Sequence, residues 1–268
     1  MARKTAAAQA GTLKLGDLTV NRLGLGTNRI TDTEEAHQLL QCAVELGVNF
    51  IDTAYRYQNG ASETAIGNAL APYKGVVIIT KGGWDNDRPE QLRGFLETSL
   101  LRLQTKCIEL YQLHRVNLDI PIENSIAELQ KFQDEGLIRH IGLSEVTVEQ
   151  LRRAQEIATI ASVQNEYNIS ARQYDDVVDY CTEHGIIFIP WFPLRGLAGV
   201  DDKADKLITD IASKHHATPQ QVALAWLLRR SPMMLPIPGT LSLDHLKSNL
   251  QAADLQLGDE DYNELLNL

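Results

Sequence analysis

Four kinds of side chain in this sequence could act together on a proton. One short apolar run ends in Phe50-Ile51-Asp52-Thr53-Ala54, with Tyr55 and Tyr57 just beyond it. Others end in Ile79-Thr80-Lys81, Gln112-Leu113-His114, Gly142-Leu143-Ser144 and Gln164-Asn165. A carboxylate, a phenol, an amine and an imidazole brought to one place suit proton donation to a carbonyl. A free phenol titrates near about 10 and is a poor acid at neutral pH. An ammonium a few ångströms away stabilises the phenolate and is expected to lower that value. A carboxylate beside the amine keeps it charged and fixed. A nearby histidine orients the carbonyl oxygen and shares its developing negative charge.

These groups meet only if the ends of separate strands open on one mouth. The strand candidates are Leu23–Gly26, Asn49–Asp52, Val76–Lys81, Ile108–His114, Ile138–Ser144, Val163–Glu166, Ile186–Pro190 and Met234–Pro236. Several are rich in Val and Ile, as strands buried on both faces should be. Between them lie helical patterns at Thr33–Leu46 (Asp32 the expected N-cap), Pro89–Leu103, Asn124–Glu135, Val148–Ala158 and Arg172–His184. The repeat recurs every ~23–33 residues up to the seventh strand, as parallel strands with helical crossovers require. Eight such units predict an α/β fold, a closed (β/α)8 barrel whose strands carry the active site at their C-terminal ends. Leu13–Leu15 and Leu18–Val20, joined by Gly16-Asp17, read as a hairpin that closes the barrel bottom. After the seventh strand, Trp191 to Val200 and helices at Lys203–His215 and Pro219–Arg230 give extra length where barrels build binding loops.

The composition fits this reading. Of 268 residues, 44% are hydrophobic and 22% charged, which excludes a disordered or fibrous chain. With no composition break, residues 1–268 are expected to form one domain, with 1–10 a flexible tail. No apolar run reaches the ~20 residues of a membrane helix. Met1 to Ala10 lacks the apolar segment of a secretory signal. Cys42, Cys107 and Cys181 are scattered and form no C-x-x-C, so neither disulfides nor a metal site is expected, and a cytoplasmic location follows. A net charge of −10 argues against a nucleic-acid partner. A monomer is the favoured state.

The phrase Phe50-Ile51-Asp52-Thr53-Ala54-x-x-Tyr57, followed by Glu63, Ile66-Gly67 and Leu70, resembles the first signature of the aldo-keto reductases. The resemblance continues through Thr80-Lys81, Leu113-His114, Ile141-Gly142-Leu143-Ser144, Val163-Gln164-Asn165-Glu166-Tyr167-Asn168, Pro193-Leu194 and Ile237-Pro238-Gly239. It covers Leu13 to about Asn249, in order. It implies an NADPH-dependent barrel reductase of small aldehydes or ketones, with the catalytic tetrad on Asp52, Tyr57, Lys81 and His114. Tyr57 would be the proton donor, Lys81, held by Asp52, would lower its pKa, and His114 would orient the carbonyl. No G-x-G-x-x-G follows a strand, in keeping with a dinucleotide site that is not a Rossmann fold.

The same resemblance implies cofactor contacts. Gly26 and Thr27 fall at the end of the first strand. Ser144 and Gln164 match residues that bind the nicotinamide carboxamide, and Glu145 stands where the family has asparagine. Glutamate accepts from an amide NH2 but, ionised, cannot donate to its oxygen, so Asn165 is a candidate assistant. Trp191 replaces the usual tyrosine that stacks on the ring. Pro193, Leu194, Arg195 and Gly196 stand where the family wraps the pyrophosphate. The family's lysine, serine, arginine and asparagine at the 2′-phosphate read Gly239, Thr240, His245 and Asn249. The loss of two cations leaves NADH possible beside the favoured NADPH.

The loop from Lys81 to Pro89 and the chain after Asn249 are both short. They imply an open, shallow pocket rimmed by Tyr55, Trp84 and Arg115, suited to small aromatic or sugar-like aldehydes. The stretches Gly136 to Ser144, Gln164 to Asn168 and Pro190 to Leu194 resemble a bacterial subgroup with pyridoxal reductase-like members. Two other classes stand beside the reductase: a non-catalytic NADPH-sensing barrel, disfavoured by the complete tetrad, and a phosphate-binding barrel isomerase or lyase, disfavoured by Gln164, Trp191 and Asn249.

Overall fold

A computed structural model describes residues 5–194 and 202–268. It is a (β/α)8 barrel. The hairpin comes first, β1 (Thr12–Leu15) antiparallel to β2 (Leu18–Asn21). Seven parallel strands follow in sequence order: β3 (Leu25–Gly26), β4 (Phe50–Asp52), β5 (Val77–Gly82), β6 (Ile108–Leu113), β7 (Ile138–Ser144), β8 (Ile160–Gln164) and β9 (Ile187–Phe188).

The expected eighth strand is not a regular one. It is reduced to a single parallel bridge, Phe188 to Met234. Prolines 236 and 238 have no N–H to donate, so a continuous ladder cannot form there. The segment still closes the ring. Phe188 N donates to Met233 O (3.0 Å), Leu235 N to Phe188 O (2.9 Å), and Gly24 N to Pro236 O (3.0 Å).

The helices surround the strands: α1 (Glu34–Glu45), α2 (Ala61–Leu70), α3 (Leu92–Arg102), α4 (Ile122–Asp134), α5 (Val148–Gln155) and α6 (Asp175–His184). After them come α7 (Asp202–Lys214), α8 (Pro219–Arg230), α9 (Leu243–Gln251) and α10 (Asp259–Leu266). The N-cap of α1 is Thr33, whose hydroxyl accepts from Ala36 N, and not Asp32. Asp32 instead pairs with His37 and Asn68. Helix α2 is built mostly of small residues and has no side-chain cap, so its sequence carries only a weak helical pattern.

Two apolar layers result. Leu39, Leu40, Leu96, Leu129, Phe132 and Trp226 pack between strands and helices. Phe50, Val77, Ile79, Leu110, Ile187 and Leu235 fill the barrel interior, and Leu13, Leu15 and Val20 of the hairpin join that inner cluster. The hairpin is therefore a plug on the bottom, and the ring opens only at the C-terminal ends of the strands. Part of the expected tail is docked: Ala7 is buried and its N–H donates to Leu46 O.

Candidate active site

Parallel register places the charged residues. Asp52 stands opposite Ile79, so Lys81, two residues further along β5, points to the same side. Backbone bonds extend the ladder past the strand ends, Thr53 N to Ile79 O, Tyr55 N to Lys81 O and His114 N to Gly82 O. Beyond Ala54 the chain turns through Gln58 and Asn59, both in the left-handed region at φ 51° and 54°, before entering α2. This tight turn carries the Tyr57 ring back over the mouth.

The sequence-predicted tetrad comes together there. Lys81, with no exposed surface, donates to Asp52 Oδ1 at 2.9 Å, to Thr53 O at 2.8 Å and to the Tyr57 hydroxyl at 3.2 Å, and its ammonium lies 2.8 Å from Asp52 Oδ2 in the same ion pair. Gln164 Nε2 donates to Asp52 Oδ2 at 2.8 Å. The carboxylate thus has partners on both oxygens, as a buried charge must. The His114 ring meets Tyr57 edge-on, centroids 5.8 Å apart, and Trp84 edge-on at 4.7 Å. His114 Nδ1 is buried without a hydrogen-bond partner.

The expected pull of Lys81 on the Tyr57 phenol is present, but it is not the largest influence there. Burial pushes the Tyr57 phenol above its ordinary value, and the Lys81 ammonium offsets this only in part while Asp52 adds to it. Lys81 does not produce an unusually acidic phenol here. It limits the rise, and the hydroxyl is held in the protonated, donating form. Lys81 itself stands above the usual lysine value, because burial, which disfavours its charge, is outweighed by Asp52 and Tyr57. Asp52 is raised by burial despite Lys81 and Gln164. His114 is pushed well below 6.5 by burial and by Lys81, Arg115 and Arg56, so it is a neutral imidazole with one N–H to donate.

A cavity of about 620 Å3 opens over these groups. It is lined by Asp52, Tyr57, Trp84, His114, Arg115, Ser144, Gln164, Trp191, Pro193, Leu194, Gly26, Thr27 and Gly239 among the expected residues. Asn28, Arg29, Phe192, Ile237 and Pro238 also line it and were not anticipated, because they lie in loops without periodicity. Arg29 matters most: its NH2 donates to Gly239 O at 3.0 Å and places a cation on the cavity wall.

Other expected residues lie elsewhere. Tyr55 does not line the cavity; its ring packs against Phe95 at 4.8 Å, under the Arg102 guanidinium. Thr240 is buried and its hydroxyl accepts from Ser242 N, His245 is exposed in the first turn of α9, and Asn249 is buried in that helix. None of these three lines the cavity. Arg195 and Gly196 lie outside the described residues.

Glu145 is not aimed at a free amide. It sits in the left-handed region (φ 56°), where Oε1 accepts from Trp191 Nε1 at 2.5 Å and Glu166 N at 2.7 Å, and Oε2 from Tyr174 at 3.0 Å. The Asn165 side chain is occupied by Val146 N and O and offers no assistance. Replacing the family's asparagine thus anchors the indole that replaces its tyrosine.

The pocket also fits a dinucleotide. Gly26 and Gly239 present bare backbone at the seam, where a Cβ on Gly239 would meet Gly26 O at 2.9 Å. At the other end are the Trp191 ring, the Ser144 hydroxyl and the unpartnered imidazole nitrogen. Its volume lies within the range of about 300–1,000 Å3 typical of ligand sites. Among the described residues there is no cluster able to hold a metal ion and no helix long and apolar enough to cross a membrane.

Comparison with known proteins shows the family. An uncharacterized oxidoreductase of Schizosaccharomyces pombe is 41% identical, over 97% of this chain and 90% of its own. Pyridoxine 4-dehydrogenase of Escherichia coli is 37% identical, over 94% and 96%. The crystal structure of an aldo-keto reductase from Klebsiella pneumoniae in complex with NADPH superposes with a TM-score of 0.85 at 28% identity, covering 95% of this chain and 93% of that one. The aldo/keto reductase family model matches residues 22–268, nearly the whole barrel, and the chain belongs to that family.

Proposed function

We propose that this protein reduces a small aldehyde or ketone to the alcohol using NADPH, with Tyr57 as proton donor. The observation that carries the reading is the buried contact of the Tyr57 hydroxyl with Lys81 Nζ at 3.2 Å, at the floor of a cavity that fits a dinucleotide. When bound, the cofactor supplies the hydride for the carbonyl carbon. The protein supplies the rest. Trp191, Ser144 and Gln164 would hold the pyridine end, and Gly26, Gly239 and Arg29 the phosphates. Neutral His114 donates its N–H to the carbonyl oxygen, fixing its direction. Tyr57 passes its proton to that oxygen, and Lys81, anchored by Asp52, stabilises the phenolate left behind. The apolar plug below and the indoles at the rim keep water from the developing charge.

The test is loss of the cofactor's near-UV absorbance with a panel of small aldehydes, beside NADPH binding read by tryptophan quenching. Turnover with NADPH supports the reading. Binding without turnover on a broad panel points to a sensor, and absence of binding to an isomerase or lyase. Either result overturns the proposal.

A further inference from the structure

Two cations that line the mouth have no carboxylate partner among the described residues: Arg29, which this reading of the site assigns to the cofactor phosphates, and Arg115. Lys81 is matched by Asp52, and Arg56 by Asp87 at 2.9 Å. Arg115 lines the same cavity, and no carboxylate of the described residues lies within ion-pair distance of it. Its two hydrogen bonds are long and both use NH1, to His114 O at 3.3 Å and Ser144 Oγ at 3.4 Å. No hydrogen bond of the described residues uses its Nε or second NH2. The guanidinium lies 5.1 Å from the centroid of the Trp84 ring and 5.6 Å from that of Trp191, so two indole faces hold it in place. A guanidinium fork so presented matches a carboxylate, with two parallel N–H donors for two oxygens.

We infer that the substrate of this reductase site is a carboxylate-bearing aldehyde, with its anionic end bound by Arg115. The inference rests on the reading of the site as a carbonyl reductase. Trp84 sets the spacing: one ring touches both the His114 imidazole, at 4.7 Å, and the Arg115 guanidinium. Carbonyl and carboxylate therefore stand about one aromatic ring apart. A carboxylate suits the site better than a phosphate monoester, whose charge of about −1.5 to −2 would be left half-matched by a single cation.

Two probes of equal size separate charge from shape, 4-formylbenzoate and 4-formylbenzamide. The full-length protein should show a kcat/KM at least about tenfold higher for the benzoate, as a charge-assisted bond to a guanidinium implies. In Arg115→Met that ratio should fall to about one. Calorimetric titration of the NADPH-loaded protein with benzoate and benzamide gives a second reading that needs no turnover. Benzoate should bind more tightly than benzamide, and only while Arg115 is present. A ratio near one in the parent protein, or a preference that survives in Arg115→Met, overturns the inference. So does an Arg115→Met variant whose NADPH affinity falls as far as its benzoate affinity, since the guanidinium would then serve the cofactor. If neither aldehyde turns over while benzoate still binds through Arg115, the carbonyl-reductase reading fails and the anion site stands.

Discussion

Removing the Lys81 ammonium should expose how much of the barrel mouth rests on one ion pair. Lys81→Met deletes the ion-pair partner of Asp52 and a donor to Asp52 Oδ1, the Thr53 carbonyl and the Tyr57 hydroxyl, all within 3.2 Å. It leaves a carboxylate with only Gln164 for company in a place closed to water. Breaking a buried pair from one side costs about 3–5 kcal/mol. In a chain of this size each kcal/mol lowers Tm by roughly 2–4 °C, so a fall of about 10 °C is expected. The loss should depend on pH, with a definite sign. Asp52 already stands above the usual carboxylate range through burial, and without Lys81 it rises further. A group raised in the folded state contributes most below its unfolded value, about 3.9, and that contribution is lost as pH rises through the folded pKa. Lys81→Met should therefore be more damaged at pH 8 than at pH 5. Adding Asp52→Asn removes the stranded charge while keeping an acceptor for Gln164, and should recover most of the stability though not the activity. Thermal and urea unfolding of both variants at the two pH values would measure this. A single variant within 1 kcal/mol of the parent, or a double variant no more stable than the single, would refute the reasoning.

Two further outcomes follow from the same geometry. Glu145→Ala deprives Trp191 Nε1 of its acceptor, and since hydrogen bonds to a charged group contribute about 1.5–3 kcal/mol, the Kd for NADPH should rise about tenfold; a change under twofold would contradict the anchoring role. The pH profile of kcat/KM should show no step near 6.5, because burial and the Lys81, Arg115 and Arg56 cations keep His114 neutral. It should stay flat through the neutral range, because the raised Tyr57 phenol keeps its proton there, so an inflection between pH 6 and 7 would assign His114 the wrong state.

The parts of this molecule that were legible in the sequence are those written in short range. Strands buried on both faces leave Val- and Ile-rich runs, and of their polar last residues Asp52, His114, Ser144 and Gln164 line one cavity while Lys81 is buried against Asp52 and Tyr57. The hairpin was readable from Gly16-Asp17. What was not legible depends on the third dimension. Tyr55 and Tyr57 are alike as letters, and only the fold shows that the Tyr57 ring faces the mouth while Tyr55 packs on Phe95. The eighth segment has the apolar content of a strand but loses its ladder to two prolines. The sequence shows that a lysine is at hand to lower the phenol, as Lys81 does, but not how far burial opposes that pull. Glu145 looked like a damaged amide contact until its partner, Trp191, 46 residues away, was seen. At Gly239 a restored lysine would meet the Gly26 carbonyl, which a pattern of letters does not reveal.

The central claim is that the Tyr57 hydroxyl delivers the proton. Single-turnover reduction of an aldehyde by Tyr57→Phe, measured beside its Kd for NADPH, tests it most directly. The ring stays and only the oxygen is lost, so the Kd should stay within about twofold while the reduction slows by about 10²–10⁴, the usual contribution of a positioned acid. Reduction at the parent rate by the phenylalanine variant would contradict the account.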